Sequence, residues 1–208
     1  MTATNEGIKG GFHAVVAKYD PDTVRFLARK TRIHINEIGD AAHPMRMFRD
    51  RLYIAGPDEL VDAGHNLLTT VGLARITGLL TATGGLQAAT QAQTMVGVGD
   101  TNTAAAIGNT DLAAATGSTH RYIQAADVTA FGVSNGVWTA YATYTAANAD
   151  FAWAEWAYGI ATGTLTPGTG SWTSIAATSA VMLNRAVAAL GTKVSPAVWT
   201  LQGTLTLS

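Results

Sequence analysis

The sequence predicts a mainly β protein, an antiparallel β-sandwich with one packed helix and an extended N-terminal arm. From residue 94 onward, short β-forming segments recur with turn signals about every ten residues. Residues 66–80 alone carry a helical period. Charge is unevenly divided: residues 1–65 hold nine Lys/Arg and nine Asp/Glu, and residues 66–208 hold four and five of the 13 and 14 in the chain. That break sets the expected domains, an arm over residues 1–64 that docks through short strands and a sandwich over residues 65–208.

Residues 8–19 read as a strand that stops at Asp20-Pro21-Asp22, where Asp and Pro favour a turn. Ile33 and Ile35 alternate with polar neighbours, so residues 32–38 read as a second strand. Pro44, Gly56, Pro57 and Gly64 break residues 40–65 into an irregular stretch with one short strand at 51–55. Leu67, Leu68, Val71, Ala74 and Ile76 then recur at helical spacing, with Asn66 as the expected cap and Gly84-Gly85 past the end. Gly72 and Gly78 weaken this helix, which therefore needs a tertiary surface to lie on.

Thr94–Gly99 is a short apolar strand, and residues 100–117 form a turn-rich loop. Residues 137–145 put Trp138, Ala140, Ala142 and Tyr144 on one face; residues 151–158 repeat the aromatic theme, with 147–150 as a hairpin between them. Residues 162–174 read as a loop and 181–190 as a strand. From Trp199 to Ser208 apolar and polar residues alternate, the mark of a half-buried strand.

The bulk composition narrows the function. A net charge of −1 gives no global attraction for nucleic acid or anionic lipid. Cysteine is absent, which removes disulfides, thiolate nucleophiles and Cys metal sites. No apolar run has the length of a membrane span, and Met1–Glu6 lacks the regions of a signal peptide, so synthesis in a cytoplasm is expected.

Few residues invite chemistry. Gly97-Val98-Gly99 lacks the third glycine and the lysine of a phosphate loop and reads as a tight turn. His13, His34, His43 and His65 match no ligand spacing, and His120-Arg121-Tyr122 reads as a solvated strand edge. Asp100 and Asp111 form a carboxylate pair for Ca²⁺ or acid–base work only if their loop folds back; as turn residues they bond their own backbone. Glu155 lies between Trp153 and Trp156, and with Asp150 would suit a glycan site; the plainer reading makes the tryptophans core and pairs Glu155 with Arg185 across the sheet. No cofactor, metal or catalytic residue is assigned, and no enzyme activity is expected.

The order of Asn66-Leu-Leu-Thr-Thr-Val-Gly-Leu, Val96-Gly-Val-Gly-Asp-Thr-Asn-Thr-Ala, Asp111-Leu112, the acidic aromatic strand, Leu183-Asn184-Arg185, Gly191-Thr-Lys193 and the terminal Trp199-Thr-Leu-Gln-Gly-Thr-Leu resembles tailed-bacteriophage virion structural proteins over about residues 64–208. The resemblance implies a non-enzymatic role as a capsid decoration, head-fibre, tail or baseplate component. The leading expectation is a capsid decoration or cement protein of the virion, assembled in the host cytoplasm. Its arm would grip the major capsid protein or another virion protein through Phe12, Phe26, Phe48, Leu52 and Tyr53, and the sandwich would form a homo-oligomer, a trimer. A tail, collar or baseplate fibre or adhesin module contacting the host is the alternative, and a glycan-binding domain the third.

Overall fold

Alternating apolar residues over most of the chain build two antiparallel sheets that face each other across one core. The computed structural model describes residues 10–31, 56–66, 68–81, 89–127, 132–134, 136–176 and 179–207. In chain order the elements are β1 (Gly10–Tyr19), α1 (Pro21–Thr31), β2 (Glu59–Asn66), α2 (Thr70–Leu80), β3 (Thr94–Gly99), β4 (Arg121–Ala125), β5 (Gly132–Ser134), β6 (Val137–Tyr144), β7 (Ala152–Thr162), β8 (Ser179–Thr192) and β9 (Val198–Leu207). The first sheet has the order β2-β1-β9-β6-β5 and the second β4-β3-β7-β8.

Phe12, Ala14, Val16, Ala140, Ala142, Leu201 and Leu205 of the first sheet meet Val96, Val98, Trp153, Trp156, Tyr158 and Ile160 of the second. The period of two puts every second residue here, and aromatic rings fill the gap. Two tyrosines tie the sheets reciprocally. Tyr144 donates to Val96 O at 3.1 Å, and Tyr158 donates to Leu201 O at 2.9 Å. Backbone closes the margins: Leu68 pairs with Asn184 on β8, while Asp127 N donates to Tyr141 O at 2.7 Å.

The outer faces differ. Over the second sheet a separate core forms from Met95, Leu112, Ile123, Ala157, Trp172, Ile175 and Met182, with loop residues lying on strand residues. Over the first sheet, α1 packs Val24, Leu27 and Ala28 against Tyr19, Ala17 and Val198 at one end.

The mainly β sandwich with a packed helix is as expected, but several details are corrected. The boundary at residue 64 does not appear, because β1 pairs with both β2 and β9 inside the first sheet. Residues 10–19 and 59–66 are thus sandwich strands, held by ladder hydrogen bonds and by a fully buried Phe12. Asp20-Pro21-Asp22 opens α1 instead of a simple turn: Pro suits the first helical position, Asp22 lies in the first turn, and Arg29 and Lys30 in the last.

Helix α2 begins at Thr70, not Asn66, because Asn66 finishes β2 and its amide donates to Arg185 O. Thr69 is the cap, accepting from Gly72 N at 3.0 Å. Gly72 lies against the Leu183 backbone, where a Cβ would collide. The segment after Tyr144 is a crossover between sheets, not a hairpin, since β6 and β7 lie in different sheets. Gly97 and Gly99 sit inside β3, not in a turn. The expected strands at 32–38 and 51–55 lie outside the described residues.

Candidate functional site

Among the described residues, the loop of residues 100–117 carries the densest network of side-chain hydrogen bonds and ion pairs. It crosses the outer face of the second sheet, where β7 presents Glu155 opposite Gly99 of β3. The missing side chain at Gly99 makes room for the carboxylate; a Cβ there would sit 2.8 Å from Ala114 Cβ and strike Glu155. Arg185, diagonal to it on β8, donates from Nε to Glu155 Oε2 at 2.5 Å, with the two side chains 1% and 0% exposed. The expected cross-sheet pair therefore forms.

The pair does more than neutralise itself. Glu155 accepts from Ala114 N at 2.7 Å and Ala113 N at 3.1 Å. Arg185 donates to Thr103 O at 2.8 Å, and to Ala104 O and Asn109 Oδ1 at 3.3 Å. A cavity of about 90 Å³ remains between Arg185, Asn66, Thr69 and the loop residues Ala105, Ala106 and Ile107.

A second ion pair holds the returning half of the loop. Arg121 donates to Asp111 at 2.8 Å and Leu112 O at 2.9 Å, and also bonds Ala114 O. Asp111 in turn accepts from Leu112 N at 2.8 Å and Trp172 N at 3.0 Å, which locks the neighbouring loop. His120 bonds Asp100 at 2.6 Å. Residues 102–108 are all exposed above this base, and Ile107 O accepts from Thr70 N at the start of α2. The result is a pre-organised loop whose tip is uncharged.

The acids singled out from the sequence are tied up in this structure. Glu155 is fully buried and accepts three hydrogen bonds, so it reaches no outside substrate. Asp100 and Asp111 do not act as a carboxylate pair; each is bound to its own base. Trp153 and Trp156 are core residues, 1% and 0% exposed, and donate to Ala149 O and Ala63 O. A sugar cannot stack on either. Asp150 binds Lys193 at 2.5 Å, and Lys193 also donates to Thr145 O and Asn148 O. Burial pushes the Lys193 ammonium below its usual pKa, and the bond to Asp150 opposes that shift.

Among the described residues no group of three His, Asp or Glu is placed to hold a metal. His13 and His65 stack with ring centroids 4.4 Å apart, and His13 bonds Asp62 at 3.0 Å; His34 and His43 lie outside the described residues. A depression of about 560 Å³ lined by Thr90, Gln91, Gln93, Ala125, Thr164 and Leu165 contains no ionisable side chain.

Of the expected partner-binding residues, Phe12 is corrected: it is 0% exposed, stacked on Tyr158 in the core. Phe26 is 58% exposed on α1, with Lys30 over its ring. Phe48, Leu52 and Tyr53 lie outside the described residues. Comparison with known protein families, with curated proteins and with solved structures finds no match to this chain.

Proposed function

We propose that this protein is a structural component on the exterior of a tailed-phage virion, a capsid decoration or cement protein that works as a homo-oligomer and performs no catalysis. One observation carries the reading. Eight of the nine charged residues of positions 66–208 are ion-paired with one another or buried, and the ninth, Asp100, is hydrogen-bonded to His120: Asp111, Asp150 and Glu155 pair with Arg121, Lys193 and Arg185, and Arg75 and Asp127 are 5% and 9% exposed. The sandwich beyond residue 65 thus displays a surface of Thr, Ala, Gly, Ser and Asn with almost no free charge.

A freely diffusing protein relies on surface charge to keep copies apart. A surface without it suits a subunit that spends its life against neighbours. The resemblance of the motif order to tailed-phage virion proteins is the second support for this reading. Phe26, with Phe48, Leu52 and Tyr53, remains the proposed grip on the major capsid protein or another virion protein; Phe12 is removed from that set.

Quantitative mass spectrometry of purified particles, paired with gold-labelled antibody, tests the proposal. Copy numbers on the scale of the shell, with label over the head, are expected. Copies on the scale of the tail symmetry, with label there, would favour the fibre or adhesin alternative. Absence from particles overturns the reading. Since β1 and β2 belong to the sandwich, docking is tested by Phe26→Asp, not by deleting residues 1–60; head occupancy should fall.

A further inference from the structure

Helix α2 has no charge on its outer side. Its inward residues Gly72, Arg75, Ile76 and Leu79 are buried or half-buried, and Gly72 lies on the Leu183 backbone of β8. Thr70, Leu73, Ala74 and Thr77 recur on the opposite side and are all exposed, Leu73 to 50%. Arg75, the one ionisable residue of the helix, is 5% exposed. A helix that lies between protein and water carries charge on its wet side, and a helix without it suits a neighbour on each side.

The patch continues onto the loop. Thr70 N donates to Ile107 O, which sets the tip of loop 100–117 beside the first turn of α2, and Ile107 is 64% exposed. Ala104, Ala105 and Ala106 next to it are exposed as well, while Arg185 beneath them is 1% exposed. The stripe at 70–77 occupies the turns of α2 that lie away from residues 82–88.

Three features make a second copy the occupant. An uncharged surface suits an uncharged partner, and when it meets itself across a two-fold no like charges are opposed. Leu73 stands as a knob among Thr70, Ala74 and Thr77, whose small side chains leave a hollow for the Leu73 of an identical helix; three- and four-residue spacing is that of a helix–helix seam. The stripe and the loop tip together offer roughly 600 Å² per copy, below the roughly 800 Å² of a standard interface and in the range of dimers that part on dilution.

We infer that α2 and the tip of loop 100–117 form a two-fold interface between two copies of this protein, with the two α2 helices packed through Leu73 and Ala74. Arg185 then serves this contact too, because it holds the Thr103 and Ala104 carbonyls, and so the tip, in place before the second copy arrives. The two-fold stands in place of the three-fold expected from sequence. The inference rests on the homo-oligomer of the proposed function.

The chain has no cysteine, so single cysteines introduced into the full chain report the contact. Ala74→Cys brings two thiols within disulfide reach at the axis, and under mild oxidation it should form a covalent dimer roughly tenfold faster than Thr164→Cys, an exposed control. Sedimentation velocity of the unaltered chain should show a monomer–dimer equilibrium. Leu73→Asp should weaken it roughly a hundredfold, because two carboxylates then meet. Unchanged circular dichroism shows that this variant folds; if it does not, Thr77→Lys repeats the measurement.

A monomer at every concentration overturns the inference. So does a dimer that ignores Leu73→Asp, equal cross-linking at positions 74 and 164, or a cross-link that places residues 1–9 or 82–88 of the same chain over Leu73. A dimer through α2 in a protein missing from virions keeps the interface and sinks the virion reading. A monomer found on virions does the reverse.

Discussion

The two sheets share a core and the same strand chemistry, yet their outer faces follow opposite rules. On the β4-β3-β7-β8 sheet small outward residues, Gly97, Gly99, Ala157, Gly159 and Ala161, stand among Met95, Ile123 and Met182, and loops settle onto the backbone there. Trp172 fills the hollow over Gly97 and Gly159, and Glu155, Arg185 and Arg121 thread loop 100–117 from below. On the β2-β1-β9-β6-β5 sheet the outward positions carry Thr, Gln, Val, Tyr and His, and α1 covers one end. Small residues together with buried charge mark a face sealed by its own chain. Mid-sized polar residues, with Asp62 at the β2 margin, mark a face on which, among the described residues, only α1 builds a hydrophobic cluster.

The sharpest way to break this contrast is to open the sealed face. Arg185→Met leaves Glu155 buried without its cation and frees the carbonyls of Thr103 and Ala104, so unfolding in urea should show a loss of about 3–5 kcal/mol. Glu155→Gln in the same background removes the stranded charge while keeping an acceptor for the Ala113 and Ala114 amides, and should restore part of the loss. If Arg185→Met unfolds at the wild-type midpoint, the ion pair does not hold the loop.

A smaller effect is expected where glycine makes room for the tryptophan. A Cβ at position 97 would lie 2.7 Å from Trp172 Cζ3, 3.1 Å from Ile123 Cγ1 and 3.3 Å from Leu112 Cδ1. Gly97→Ala should therefore cost about 1–3 kcal/mol, measured by thermal or denaturant unfolding. A stable Gly97→Ala would mean that Trp172 does not rest on the sheet. The matching substitution on the outer face of the first sheet, Gln202→Thr, fills no such gap and should stay within about 0.5 kcal/mol.

Much of this difference was hidden in the sequence for a physical reason. Period-two alternation located β6, β7 and β9, because a residue is placed inside or outside by its own hydrophobicity, while short apolar runs marked β3 and β8. Scarce charge made the Glu155–Arg185 pair legible, since a lone acid and a lone base in apolar strands must find partners. Gly97 and Gly99 were read as a turn because flexibility is the usual use of glycine. Their use here is close approach, which depends for Gly97 on Trp172, more than seventy residues away, and for Gly99 on Glu155, more than fifty away.

Helix α1 was obscured when Asp20-Pro21 was read as a stop, although the same pair starts a helix. The break in charge is real, but it does not divide the fold. β1 and β2 complete the first sheet through pairings that no local pattern reports.

The smallest predicted effect lies on the outer face of the β2-β1-β9-β6-β5 sheet, at Asp62. Asp62 accepts from Gly64 N at 2.7 Å and binds His13, and these hydrogen bonds, that to Gly64 first, hold its pKa below 3.8. A carboxyl that is more acidic when folded than unfolded adds stability above its unfolded pKa, and that contribution fades as pH falls through the lower folded value. The window therefore lies below the ordinary carboxylate range, and neutral stability should barely respond to Asp62→Asn, as exposure and solvent screening dictate. Carboxyl chemical shifts followed through an acid titration check this. A midpoint for Asp62 at or above 3.8 would show that the Gly64 amide does not hold it in solution, and that the β2 margin of the first sheet is looser than the Glu155 site, where two amides and a guanidinium converge on one carboxylate.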